Sequence, residues 1–133
     1  MKQIEYIYLA DDDSDDCYLF QEALNEVNDY IRLNTAEDGL ALMDTLHKDT
    51  RRPDIIFLDI NMPGKNGFEC LEEIRSAKEL RKIPVVVLST SDAQESIDKA
   101  YENGANWYVQ KPTSFKGLKK LISHCLEQDW ERI

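Results

Sequence analysis

Asp11, Asp12, Asp59, Ser89 and Lys111 are the residues of this 133-residue sequence whose types and spacing could do chemistry together. Each stands just past a short apolar run. Ile4 to Ala10 ends at Asp11-Asp12-Asp13, Ile55 to Leu58 at Asp59, and Val85 to Leu88 at Ser89. Trp107-Tyr108-Val109 is followed by Gln110-Lys111-Pro112. A carboxylate cluster, an isolated carboxylate, a hydroxyl and a lysine are the parts of a phosphoryl-transfer site. That chemistry is catalysed mainly by positioning and by neutralising charge.

The runs themselves supply the positioning. Short, β-branched and almost wholly apolar, they read as strands buried on both faces, the mark of a parallel sheet. Parallel strands end along one edge, so residues distant in sequence converge there. Helical patterns alternate with the strands, giving five βα units and an α/β class. Ile31 to Thr35 alternates apolar and polar residues and reads as a half-exposed edge strand. Ser14 is placed to cap the first helix, with Asp15 and Asp16 at its positive end. Leu19/Phe20, Ala23/Leu24 and Val27 form that helix's apolar face, and Leu40, Met43 and Leu46/His47 the next. Gly67 opens a helix with Phe68, Leu71 and Ile74 inward, and Ile97, Ala100 and Tyr101 line the following one. Asn103-Gly104 is a helix stop. The last helix starts near Ser114 and packs through Phe115, Leu118, Leu121/Ile122 and Cys125. Ligands in such open sheets bind outside the strands' carboxyl ends, which is where the five residues gather.

Composition narrows the function class. One domain over residues 1–133 is expected, with 42% hydrophobic and 32% charged residues. The net charge of −10 argues against binding nucleic acid or an anionic membrane. No stretch approaches the roughly 20 apolar residues of a membrane span, and Met1-Lys2-Gln3 runs straight toward a strand rather than a signal peptide. Cys17, Cys70 and Cys125 show no metal-type or redox-type pairing, so a reduced cytoplasmic protein is expected. His47 and His124 fall on helices away from the strand ends and read as packing or surface residues.

These motifs resemble the receiver domain of two-component response regulators. The matching residues are Asp11-Asp12, Asp59 within Leu58-Asp59-Ile60-Asn61-Met62-Pro63-Gly64-Lys65-Asn66-Gly67, Ser89, and Lys111-Pro112, in family order along essentially the whole chain. Ser89-Thr90-Ser91, the Asp-rich start and Leu19 to Leu24 look most like the small receivers that partner bacterial phytochrome kinases. The resemblance implies a flavodoxin-like (βα)5 fold with a five-stranded parallel sheet of order 2-1-3-4-5 and helices on both faces. It also implies a stand-alone receiver without an output domain, not a turnover enzyme.

By the same resemblance Asp59 is the phosphoacceptor, taking its phosphoryl group from a histidine kinase. Two carboxylates about 4 Å apart repel by roughly 4 kcal/mol at an effective dielectric of 20, so the cluster should hold a divalent cation. Oxygen-only donors favour Mg²⁺. The resemblance implies Asp12 and Asp59 as direct ligands, Asn61 offering its main-chain carbonyl, and Asp11 acting through water. Lys111 and Ser89 contact the phosphoryl oxygens. The family usually aims the lysine with a cis bond to the following Pro. Tyr108, on the fifth strand beside Ser89, matches the switch aromatic, turning inward as Ser89 moves. Thr90 stands where the family commonly has Ala or Gly, which would crowd phosphate access. The implied partner is a downstream target protein or, for a relay intermediate, a histidine phosphotransfer protein; a homodimer is a family option.

Taken singly, each residue has a plainer reading. Asp11 to Asp16 could be a solvated helix-capping run, which is the expectation for Asp13, Asp15 and Asp16. Two rival sites fail on their own requirements. Asp11, Asp13, Asp15 and Glu22 fit a calcium-loop spacing, but position 6 is Asp16 rather than Gly and a strand precedes the loop. A haloacid dehalogenase-type phosphatase would need a second Asp two residues after Asp59, where Asn61 stands.

Overall fold

The computed structural model describes residues 3–132; Met1, Lys2 and Ile133 lie outside the described residues. Strands and helices alternate as β1 (Tyr6–Ala10), α1 (Ser14–Val27), β2 (Arg32–Ala36), α2 (Gly39–Lys48), β3 (Ile55–Asp59) and α3 (Gly67–Ser76). The chain continues with β4 (Val85–Ser89), α4 (Gln94–Glu102), β5 (Trp107–Gln110), α5 (Phe115–Glu127) and a 3₁₀ turn at Trp130–Arg132. The strands form one parallel sheet of order β2-β1-β3-β4-β5. This is the expected architecture.

Every residue of β1, β3 and β4 is buried, because helices cover both faces of the sheet. Tyr8, Ile56, Leu58, Val85 and Val87 point to one core with α2 and α3. Ile7, Leu9, Phe57, Val86 and Leu88 point to the other, with α1 and α5. Strand alternation thus divides each run between two cores. β2 is the half-exposed edge strand expected from its alternation.

Several local expectations change. Asp13, not Ser14, caps α1: its carboxylate accepts from the Asp15 and Asp16 N–H groups. A carboxylate one residue earlier reaches those free donors, and its charge suits the helix's positive end. Leu19 is exposed because it sits about 100° round the helix from buried Phe20. Leu40, in the first turn of α2, is exposed and lies over Gly64. Tyr101 is 45% exposed, and its hydroxyl accepts from the Tyr108 N–H at 3.0 Å. Phe68 and Ile97 are only partly buried. Ser114 does cap α5, accepting from the Gly117 N–H. Gly104, at φ +100°, ends α4 as expected.

Two polar networks tie the lower ends of the strands. The Tyr6 and Tyr8 hydroxyls both donate to Asp49 Oδ2 from the α2–β3 loop, at 2.8 Å for Tyr6. Arg75, in the last turn of α3, donates to the main-chain oxygens of Gly104, Arg81 and Ile83 and to Asn106 Oδ1. Asn106 Oδ1 also accepts from the Val85 N–H.

At the upper end, the turn from β3 into α3 is held by backbone proximity. The Gly67 N–H donates to the Ile60 carbonyl at 2.9 Å. A Cβ at Gly67 would meet the Asp59 carbonyl and lie 2.7 Å from Ile60 Cα. Gly67→Ala is therefore expected to destabilise the chain by about 3 kcal/mol, because backbone rather than a flexible side chain must give way. Urea unfolding measures it, and a change below the error of that method would contradict the close approach.

Candidate functional site

Asp11, Asp59 and Ser89 are buried at the carboxyl edge of the sheet, while Lys111 is half-buried just past β5. Their meeting follows from register. Ala10 pairs with Leu58, Asp59 with Leu88, and Ser89 with Gln110, so four strands deliver their next polar residues to one rim. The Lys111 N–H donates to the Ser89 carbonyl at 2.8 Å, extending the ladder and fixing where the lysine departs.

Lys111 Nζ lies 2.9 Å from Asp11 Oδ2, 3.0 Å from Asp16 Oδ2 and 3.5 Å from Asp59 Oδ2. The lysine is aimed without a cis bond: the described peptide bonds are all trans, Lys111–Pro112 included. Strand register and three carboxylates suffice. Asp16 reads in the sequence as a solvated helix-dipole acid; in the structure it completes the lysine's cage. An acid in the first turn of a helix looks alike in sequence whether or not a cation from 95 residues away reaches it.

The carboxylates differ in their surroundings. Burial pushes the Asp59 carboxyl up to about 6, Lys111 pulling it down and the Asp11 charge adding to the rise. The Asn61 N–H donates to Asp59 Oδ1 at 3.3 Å. Burial works against the Lys111 charge, but hydrogen bonds to Asp11 and Asp16 more than offset it and hold the ammonium above its ordinary range. The lysine thus remains cationic beside a carboxyl whose ionised form burial disfavours.

One carboxylate oxygen each from Asp11, Asp12 and Asp59 lies within 4.8 Å of the others. Asp12 is exposed and the other two are buried, so the cluster opens to solvent on one side. Three converging hard oxygen donors, with room for water, suit Mg²⁺, which retains several waters when bound. Asn61 is exposed at the same rim, within the β3–α3 connection.

Ser89 Oγ accepts from the Ser91 N–H at 3.1 Å, orienting the hydroxyl at the head of β4. Thr90 is exposed, and Gln110 Nε2 donates to its carbonyl at 3.3 Å. Tyr108 lies two residue pairs below Ser89, opposite Val87. It is buried, and its hydroxyl donates to the Ser91 carbonyl at 2.8 Å. His47 contacts Glu73 at 3.0 Å on the α2–α3 surface, and His124 packs against Trp107; both are remote from the rim in the fold.

An acidic trio and a lysine at the carboxyl rim of a 2-1-3-4-5 sheet define a receiver, and residues 7–123 match the response regulator receiver domain family. The chain belongs to that family. It is 36% identical over 129 residues to the response regulator Rcp1 of Synechocystis sp., covering 93% of this chain and 87% of that protein. It is 33% identical over 93 residues to the chemotaxis protein CheY-3 of Vibrio cholerae, covering 70% of each.

Among solved structures, the phosphorylated cyanobacterial phytochrome response regulator RcpA superposes with a TM-score of 0.85 at 35% identity. That match covers 92% of this chain and 91% of RcpA. The Mn²⁺-bound form of Rcp1 gives 0.84 at 35% identity, covering 94% and 96%. Receiver domains are signalling modules of two-component systems and bind Mg²⁺ or Mn²⁺ at this acidic pocket. Among the described residues no helix is long and apolar enough to cross a membrane.

Proposed function

We propose that Asp59 accepts a phosphoryl group from a histidine kinase and that the phosphorylated chain changes its affinity for a protein partner. The observation that carries this reading is Lys111 Nζ at 3.5 Å from Asp59 Oδ2 beside an acidic trio. A buried carboxylate with a fixed cation on one side and a cation site on the other is arranged to meet an incoming phosphate. Similarity to the phytochrome response regulator RcpA and to the bacteriophytochrome response regulator RtBRR favours a phytochrome-type kinase as the donor.

An Asp59 carboxylate oxygen attacks phosphorus, the phosphoryl group leaves the kinase histidine, and an acyl phosphate forms. Lys111 holds positive charge against the transferring oxygens, and Ser89 donates its hydroxyl to one of them. Mg²⁺ bound by Asp12, Asp59 and the Asn61 carbonyl, with Asp11 through water, would neutralise the remaining charge. When Ser89 turns to the phosphoryl group it gives up its contact with the Ser91 N–H. Tyr108, tied to the Ser91 carbonyl, then feels the displacement of the β4–α4 connection. The surface of α4, β5 and α5 is where the change is read.

Metal removal gives a direct test. Label from a phosphorylated phytochrome-type histidine kinase is expected to reach this chain with Mg²⁺ and to fall by about 100-fold or more when EDTA replaces it. Transfer that is indifferent to EDTA would contradict the role given to the acidic trio. Subsequent movement of label onto a histidine phosphotransfer protein would favour the relay alternative over a terminal output.

A further inference from the structure

A groove at the rim opposite the acidic site is lined by more cations than acids. Arg52, Arg75, Arg81 and Lys82 line this groove of about 680 Å³ with Pro53, Ile83, Pro84, Asn106, Trp130 and the carboxylate of Glu131. Arg81 and Lys82 are exposed, and Arg52 and Arg75 half-buried. Among the described residues none of these four cations has a carboxylate within ion-pair distance, although the chain carries 26 acids against 16 Lys and Arg. Its net charge of −10 therefore does not describe the lining of this groove.

Arg75 taken alone is a strut: its donors go to three main-chain oxygens and Asn106 Oδ1. Those acceptors are neutral, so the strut leaves its positive charge in the groove. Arg52 likewise donates to a main-chain oxygen, that of Asp49, while its Nε is buried with no hydrogen-bond partner. An unpartnered guanidinium donor is costly to leave, so the Arg52 charge is only partly compensated by the protein. A strut does not account for Arg81 and Lys82, which add two further charges at the mouth.

The groove is also aromatic. Trp130 and Asn106 are shared with an adjoining hollow lined by Trp107, His124 and Gln128. Trp130 is held by its Nε1–H, which donates to the Cys125 carbonyl at 2.9 Å, and Trp107 packs with its ring tilted 53° to that of His124, centroids 5.1 Å apart. Both indoles are half-buried, each leaving part of its surface to solvent. Cations grouped beside half-exposed indoles match a ligand with phosphates at one end and a flat ring at the other. The volume lies in the range of small-molecule sites.

The structure assigns to this groove the binding of a nucleotide, its phosphates on Arg52, Arg81 and Lys82 and its base on Trp130. The site is independent of Asp59 and stands whether or not phosphorylation occurs there.

ADP and inorganic tripolyphosphate are the probes, titrated into the full chain without added Mg²⁺ and followed by calorimetry and tryptophan fluorescence. One ADP per chain is expected, with a change in indole emission and tighter binding than tripolyphosphate. Arg81→Glu/Lys82→Glu should weaken ADP by about tenfold or more while acetyl phosphate still labels the variant at the wild-type rate. Trp130→Leu should erase the preference for ADP over tripolyphosphate. Absence of saturable ADP binding, equal binding of the two probes, or unchanged affinity in the charge-reversed variant would each overturn the assignment.

Discussion

Asp59→Asn is expected to abolish phosphorylation and, in the metal-free chain, to raise stability by about 2 kcal/mol at neutral pH. Both effects come from one carboxylate. Its burial beside Asp11 lifts it to about 6, so the folded chain retains a proton that the unfolded chain releases near 4. The stability this group contributes is thus fully present below pH 4 and lost as pH rises through 6. Above that, wild type must keep a carboxylate ionised where an amide would sit uncharged. Urea unfolding from pH 4 to 8 in EDTA checks this: the advantage of the Asn variant should grow across the interval. A pH-independent difference would mean that Asp59 is not desolvated. Added Mg²⁺ should narrow the gap, since only the wild type offers the cation a charged oxygen at that position.

Lys111→Met has the opposite sign for the metal-free chain. Removing the ammonium leaves Asp11, Asp16 and Asp59 without the cation that lies 2.9 to 3.5 Å from them. Breaking a buried pair by deleting one partner costs about 3 kcal/mol or more, and Asp11 is 3% exposed. The same substitution removes a positive charge beside the cation site, so Mg²⁺ affinity should rise by about tenfold. Phosphorylation should nevertheless become slow, because the lysine's charge is no longer available to the transferring oxygens. Calorimetric Mg²⁺ titration together with phosphorylation rates separates these effects. Weaker Mg²⁺ binding in the variant would show that Lys111 organises the acidic trio rather than competing with its cation.

The legible parts of this fold are those written in local pattern. β1, β3 and β4 declare themselves as apolar runs because a strand covered on both faces has no polar side. Their polar terminators are legible as a site because parallel strands end together. Strand order is not available from pattern and comes from the family resemblance. Asp16 escapes a sequence reading because its partner lies 95 residues away, and a first-turn acid needs no partner to be explained. The Tyr6–Tyr8–Asp49 cluster is hidden for a similar reason: tyrosines in an apolar run read as core, and their acceptor sits in a later loop. Leu19 and Leu40 go the other way. Each is apolar at near-helical spacing, yet one residue of angular offset or a place in the first turn leaves it outside the core.

Intact-mass measurement after incubation with acetyl phosphate and Mg²⁺ tests the phosphoacceptor assignment most directly. One acid-labile phosphoryl group per chain, mapped to Asp59 by borohydride reduction and absent from Asp59→Asn, is the predicted result. A phosphoryl group that persists in the Asn variant, or that maps to any residue away from the carboxyl rim of β3, would contradict it.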